Sequence, residues 1–375
     1  MDEILIMSSV HCWNDVRMFH REANSLAENG YKVKVIAVET DTAYTGKHCR
    51  LNVETIQKIP LGKRYKVWYR FYHIARISPA KIIIFHDPEL YIIAYFLKKF
   101  TNKKIIFDMH EEFPASLLYK KVGKYKLPRW VVCFLKKIEQ RILPVFDGLF
   151  FAEAYYKDIY GDVCVQGIDV LNYPVLCKET NNLKVDSDVV KLIYAGALHE
   201  VRGFFEMLEL ARLLKEGNHP FSLKIIGPGS NRLIEQGQEY INKHGLREYV
   251  SICPYMDFAL LELEYQKADI GLALLHETPN YVKSLASKLY EYMSYGIVSV
   301  ASDFPLWKEL LMNTDAGITV NPMNINEVYY DVVKLINEVP YRKQLAKNGL
   351  KAHVNDYNWG VEEAKILRFI QQLET

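Results

Sequence analysis

The chain has 375 residues, half of them hydrophobic and a quarter charged, which excludes a disordered or fibrous protein and suffices for two ordinary domains with separate cores. Its net charge of +2 divides unevenly: residues 1–186 carry 28 Lys and Arg against 21 Asp and Glu, the remainder 19 against 24, so the basic first half is expected to face something anionic. Six scattered cysteines without a CxxC pair exclude a disulfide framework and a zinc site. With no leader-like N-terminus and no uninterrupted apolar run of about 20 residues, they predict a cytoplasmic protein that does not span a membrane.

In chain order, Asp2 to Met7 reads as a strand and Asp15 to Asn29 as a helix with Phe19, Ala23 and Leu26 on one face and Gly30 as its stop. The loop between them, SSVHCWNDVR, holds no glycine. A GxGxxG dinucleotide fingerprint is therefore missing, which argues against a nicotinamide or flavin enzyme. Strands are predicted over Tyr31–Val38, Lys81–Phe85, Lys104–Asp108 and Gly148–Ala152. The segment IIFDMHEEFP puts Asp108 and His110 at a strand end, and His86-Asp87 takes the same place one strand earlier. A histidine there can exchange protons near neutral pH, or it can be structural. Gly62 to Arg76 mixes basic residues with Trp68, Tyr69, Phe71 and Tyr72, and Tyr119 to Arg141 carries eight basic residues and one acidic around Trp130, Val131, Phe134 and Leu135. Such mixtures suit the interface of an anionic membrane; the alternative is a pair of solvated helices that pack one apolar side. Nucleic acid fits less well, because no recognised binding module accompanies the charge.

Around Asn172-Tyr173-Pro174 the rhythm breaks, and 178–188 is polar enough to be a linker. A second strand series then begins: 189–196, 223–226, 249–253, 269–274, 297–301 and 316–320. The expected fold is α/β, two Rossmann-like doubly wound parallel-sheet domains facing a cleft, over 1–177 and 189–357, with 358–375 a final helix. Ligands are expected at the C-terminal strand ends. There lie Gly196, Arg202 at a helix start as a fork for a diphosphate or as a plain surface arginine, Gly227-Pro228-Gly229, and Tyr255, an aromatic for a base or for packing. Asp186-Ser187-Asp188 is a DxD, but it precedes a strand inside the linker, so no metal site is assigned to it. In KSLASKLYEYMSYGIVSVASD, Ser287 is expected to cap a helix that carries Lys288 in its first turn and Glu291 one turn on. A cation there opposes the helix dipole unless an anion is held, and Glu291 can accept from a vicinal diol. A solvated lysine–glutamate pair is the alternative.

HCWNDVRMFHREANSLAENGYKV, FHDPEL, FDMHEEFP, YAGALHEVRG and SLASKLYEYMSYGIVSVASDFP, in that order and spacing, resemble the GT-B retaining glycosyltransferases of family 4. The resemblance implies a nucleotide-sugar donor on the C-terminal domain, an acceptor entering from the N-terminal one, and a helix after Trp359 that crosses back to the first domain. It implies Arg202 and Lys288 on the diphosphate, Glu291 on the ribose, the backbone around Leu285, Ala286 and Ser287 on phosphate or sugar, and His110 beside the anomeric carbon. Gly196 and Tyr255 complete the donor side, and His11, Asp15, Arg17 and Glu111 are the acceptor-side candidates. The chain departs from the pattern at Lys283, where many members have an acid, with Glu277 as a substitute, and at Ala197, where many have arginine. The implied activity is retaining, metal-independent and cofactor-free transfer from a UDP or GDP sugar to a glycan or lipid-linked acceptor in bacterial surface polysaccharide synthesis, at the inner face of the cytoplasmic membrane. A GT-B nucleotide-sugar epimerase and a catalytically silent partner subunit are the alternatives.

Overall fold

A computed structural model describes residues 3–40, 44, 46, 48–110, 112–114, 117, 121–122, 125–161, 166–176 and 187–374. The chain forms two compact units, one of residues 1–172 with 359–375 and one of residues 173–358.

The first unit opens with β1 (Glu3–Cys12), whose Ile4, Leu5, Ile6 and Met7 are fully buried, as expected of a central strand covered on both faces. Alternation sends Leu5 and Met7 into one core and Ile4 and Ile6 into the other. The strand outruns its expected end at Met7, with a register irregularity between Met7 and Cys12. Helix α1 begins as a π-helical segment (Val16–Ala23) and continues as Asn24–Glu28; Asp15 caps it by accepting from the amides of Arg17 and Met18, both at 2.9 Å. Then follow β2 (Lys32–Val38), β3 (Leu51–Ile56), α2 (Tyr65–Ile77), β4 (Ile82–Phe85), α3 (Tyr91–Phe100) and β5 (Lys104–Met109). A short hairpin of β6 (Lys121–Val122) and β7 (Tyr125–Lys126), α4 (Arg129–Ile142), β8 (Gly148–Phe151), α5 (Tyr156–Tyr160) and β9 (Gly167–Asp169) complete the run. The seven-stranded parallel sheet has the order β3-β2-β1-β4-β5-β8-β9. Helices α2, α3 and α4 share a core with Leu5 and Met7 on one face, while α1 covers the other. Strands β3 and β9 were not anticipated: each lies at an edge and buries too little to show a continuous apolar run.

The second unit runs β10 (Val190–Ala195), α6 (Phe204–Glu216), β11 (Phe221–Ile226), α7 (Asn231–Lys243), β12 (Val250–Cys253), α8 (Phe258–Tyr265), β13 (Ile270–Ala273), α9 (Pro279–Lys283), α10 (Ser287–Ser294), β14 (Val298–Ser302), α11 (Pro305–Thr314), β15 (Gly317–Val320), α12 (Ile325–Asn337) and α13 (Val339–Asn355). Its six-stranded parallel sheet has the order β12-β11-β10-β13-β14-β15, with all six strands where the sequence placed them. The reversal on either side of β10 puts a topological switch point at the ends of β10 and β13, the place where open α/β sheets bind ligands.

One boundary differs from expectation. Tyr173 already belongs to the second unit, because its ring packs on Tyr290 and Tyr357 at 4.6 and 5.5 Å. The linker residues 178–186, Asp186 of the DxD among them, lie outside the described residues. The last helix, α14 (Trp359–Glu374), belongs to the first unit: Trp359 Nε1 donates to Ser25 Oγ at 2.7 Å, Glu362 accepts from the amide of Leu171 at 3.0 Å, and Phe369 packs edge-on against Phe150. No helix among the described residues is long and apolar enough to cross a membrane.

Candidate functional site

The first cluster belongs to the second unit, at the ends of β10 and β13. Gly196 follows β10 with φ +148°, a backbone region that favours glycine. A Cβ there would stand 3.4 Å from Lys288 Nζ and 3.7 Å from Arg202 Nη1, so the missing side chain leaves open a point that two cations flank. Arg202 ends a 3-10 turn, Glu200–Arg202, and Gly203, left-handed at φ +77°, lets α6 start at once, where a Cβ would strike the Leu274 carbonyl. The guanidinium lies near the Tyr281 ring and donates through Nε to Tyr281 Oη at 3.1 Å. His276 steadies this corner, its amide donating to the Val201 carbonyl at 2.9 Å and its ring meeting Glu206 at 2.8 Å.

Lys288 is the second residue of α10 and only 8% exposed, which disposes of the solvated-pair reading. Its Nζ sits 3.7 Å over the Tyr194 ring and has no hydrogen-bond partner. Burial, then the neighbouring Arg202 charge, push this ammonium down to about 7 against the pull of Glu291. A buried cation without a partner beside a second cation is a site poised for an anion. Ser287 does not cap α10, contrary to expectation. The helix begins at Ser287 with Ala286 as its N-cap residue, and no side chain caps it; the Leu289 amide donates to the Ala286 carbonyl at 3.0 Å, and those of Ser287 and Lys288 remain for a ligand. Leu285 and Ala286 form the loop before it and are half-buried. Glu291 accepts from Tyr265 Oη at 2.8 Å, which orients its carboxylate. Tyr255, 72% exposed after β12, is not a packing residue. Glu277 and Lys283 line one pocket of about 290 Å³ with Thr278, Pro279 and Val282. Tyr194, Tyr265, Tyr281 and His276 were missed in the sequence. Each acts by touching a charged group from another element, and nothing local marks such a role.

The second cluster belongs to the first unit, at the ends of β1, β4 and β5. Asp108, at the strand end where the sequence placed it, is fully buried, gripped by Arg17 Nε and Nη2 at 2.7 and 2.6 Å. Arg17, expected among the acceptor-side residues, is itself buried and also donates to the Val170 carbonyl at 2.6 Å, so its guanidinium is turned to the interior. Burial works against the Asp108 charge, but Arg17 and the nearby His110 hold it well below the usual carboxylate range. His86 Nδ1 and His110 Nε2 lie 2.9 Å apart, each close to Asp108 Oδ2 at 3.1 and 3.0 Å. Burial pushes His86 below the ordinary histidine range and, with the Asp108 charge, lifts Glu22 well above the carboxylate range. His110 is the partly open member, with a side chain 20% exposed. The His11 ring lies beside it, tilted by 35° with the centroids 5.1 Å apart, and stands 3.5 Å from Asp15 and 3.6 Å from Asp87, the Asp15 hydrogen bond raising its pKa despite burial. Glu111 lies outside the described residues. Among the described residues, His86, Asp108 and His110 alone stand at metal-ligand spacing. The Arg17 fork already occupies both Asp108 oxygens and sets a fixed cation against any metal.

The two parallel-sheet α/β units have the architecture of the GT-B glycosyltransferases. The sucrose-phosphate synthase of Thermosynechococcus elongatus superposes with a TM-score of 0.73 at 14% identity, over 100% of this chain and 99% of that one. Anabaena HepE in complex with UDP and glucose gives 0.72 at 11% identity, over 99% and 100%. Residues 178–352 match the family model described as glycosyl transferases group 1. An uncharacterized glycosyltransferase of Methanocaldococcus jannaschii is 19% identical over 90% of this chain and 88% of its own length, and a second from that organism is 22% identical over 78% and 75%. Family match and named relatives together support a glycosyltransferase.

Proposed function

We propose that the protein moves a sugar from a nucleoside diphosphate to a glycan or lipid-linked acceptor, with retention at the anomeric carbon and without a metal ion, in the synthesis of bacterial surface polysaccharide. The observation that carries the reading is the buried, unpartnered Lys288 ammonium beside Arg202 over the open point at Gly196. Negative charge develops on the departing diphosphate, and two fixed cations with the first-turn amides of α10 stabilise it more strongly in the transition state than in the ground state. Glu291, aimed by Tyr265, accepts from the ribose hydroxyls. Leu285, Ala286 and Ser287 offer backbone to phosphate or sugar, Tyr255 stacks on the base, and the pocket of Glu277 and Lys283 reads the sugar. His110 hydrogen-bonds the donor sugar, with His11 and Asp15 on the acceptor side. Asp108, the buried carboxylate beside His110, is held by Arg17 and is not free to attack, which favours same-face attack by the acceptor over double displacement.

UDP is the first base to test against GDP, since Anabaena HepE was solved with UDP and with UDP-glucose. A thermal-shift screen should show UDP or a UDP sugar raising the melting temperature in proportion to affinity. Glu291→Ala should weaken UDP binding roughly 10- to 100-fold, the value of a hydrogen bond to a charged group. The same variant should bind 2′,3′-dideoxy-UDP, which has neither hydroxyl, as the wild type does. Equal loss for both nucleotides would remove Glu291 from the ribose. Exposed Tyr65, Tyr69, Trp130 and Phe134 on α2 and α4, among basic residues, support peripheral contact with an anionic membrane at the cytoplasmic inner face. Sedimentation with anionic liposomes at physiological salt checks it, and no binding there would discard the membrane contact.

A further inference from the structure

Helices α2 and α3 pack side by side on one face of the first unit's sheet, and a groove of about 360 Å³ runs along them. Apart from His73 and Glu89 its wall is aromatic and aliphatic, with Trp68 and Tyr72 from α2 and Ile92, Ile93 and Phe96 from α3. Tyr69, Ile92 and Phe96 are 68%, 56% and 43% exposed, a contiguous apolar surface of the kind that marks a binding site. The two helices carry basic charge, while the groove itself ends on Glu89. Neither helix carries an acidic residue; Arg70 and Lys98 are paired with Glu54 at 2.9 Å and Asp147 at 2.7 Å, which leaves Lys66 and Arg76 on α2 and Lys99 on α3.

Glu89 gives the groove a polar terminus. It accepts from Arg64 Nη1, from Trp68 Nε1 at 3.3 Å and from Ser9 Oγ at 2.6 Å. Ser9 in turn donates its amide to Asp87 at 2.6 Å, and Asp87 lies 3.6 Å from His11. The slot therefore ends on a hydrogen-bonded run of Glu89, Ser9 and Asp87, and Asp87 lies 3.6 Å from His11 in the histidine cluster at the ends of β1, β4 and β5.

We propose that this groove holds the hydrocarbon chain of a lipid acceptor, a single alkyl or prenyl chain that carries an anionic phosphate headgroup. Lys66, Arg76 and Lys99 on the two helices complement the headgroup, and the exposed aromatic side chains suit the depth at which such a chain leaves a bilayer. Its role as acceptor rests on the transferase reading; its binding does not.

The test uses the full chain and dodecyl phosphate bearing a diazirine on its terminal carbons. Photolabelling should fall on the segments 68–73 and 92–96 and be competed by plain dodecyl phosphate. Hexyl phosphate should compete far less well, by roughly fourfold for each methylene removed, and inorganic phosphate should not compete. Ile92→Trp, which fills the groove from an exposed position, and Phe96→Glu, which charges it, should each cut labelling at least about tenfold. Melting curves matching the wild type establish that the variants fold. Labelling spread over other exposed apolar residues, or unchanged in both variants, or competed equally by hexyl phosphate, overturns the groove. Groove labelling in a protein that transfers no sugar to a lipid-linked acceptor supports the groove and overturns only the transferase reading. Transfer to such an acceptor without groove labelling does the reverse.

Discussion

Lys288→Met is expected to lower donor turnover by at least about a hundredfold while raising the melting temperature, a combination that a residue serving the fold alone would not give. The loss follows from removing one of two cations that flank the point above Gly196. The gain follows from burial. The ammonium is pushed from an ordinary lysine value to about 7, so the folded state below that pH carries a desolvated charge beside Arg202. A folded value lower than the unfolded one means the penalty is fully present below about pH 7 and fades as pH rises towards the lysine's ordinary value. Methionine fills a similar volume without charge, and the expected stabilisation is about 1–3 kcal/mol, a few degrees, greatest at and below pH 7. Melting curves at pH 6 and pH 10 with a donor-turnover assay decide the matter. A variant that melts lower than wild type at pH 6, or turns over donor normally, contradicts the assignment.

Arg17→Leu should destabilise the first unit by about 3–5 kcal/mol, the cost of stranding a buried charge when its partner is removed. Asp108 would lose both arms of the guanidinium, and Glu22, 3.2 Å from Arg17 Nε, would lose its nearest cation. The Val170 carbonyl and Asn172 would lose a donor as well. A double replacement, Arg17→Leu with Asp108→Leu, should recover part of the loss, because removing both charges of a buried pair costs less than removing one. Chemical denaturation of wild type, the single variant and the double variant measures the coupling. A single-variant loss within about 0.5 kcal/mol would place Arg17 among ordinary surface residues. His110 should also lose definition in the variant, since Asp108, its neighbour at 3.0 Å, is held in place by the same guanidinium.

The legible parts of the sequence are those whose cause is local. The six strands of the second unit stand where apolar, β-branched runs meet glycine or proline, and the α1 face of Phe19, Ala23 and Leu26 is buried as its spacing required. Motif resemblance carried Arg202, Lys288 and Glu291 to one region, and the fold brings Arg202 and Lys288 to the two sides of Gly196. The same reasoning failed at Ser287, where a good capping residue sits one position inside the helix and Ala286 takes the cap position. The sequence places Asp108 at its strand end, but its full burial against Arg17 could not be read there, because the partner lies in a distant segment.

What the sequence determined by itself was the alternation of strands and helices, hence the two parallel sheets and the strand ends where charged residues gather. Tertiary structure alone decided which of those charges are buried and what they meet. Arg17 reaches Asp108 across 91 residues of chain, and Lys288 lies over a tyrosine contributed by β10. A side chain's solvation, and with it its proton affinity and its readiness to take an anion, depends on neighbours drawn from distant segments, and no local pattern encodes that distance.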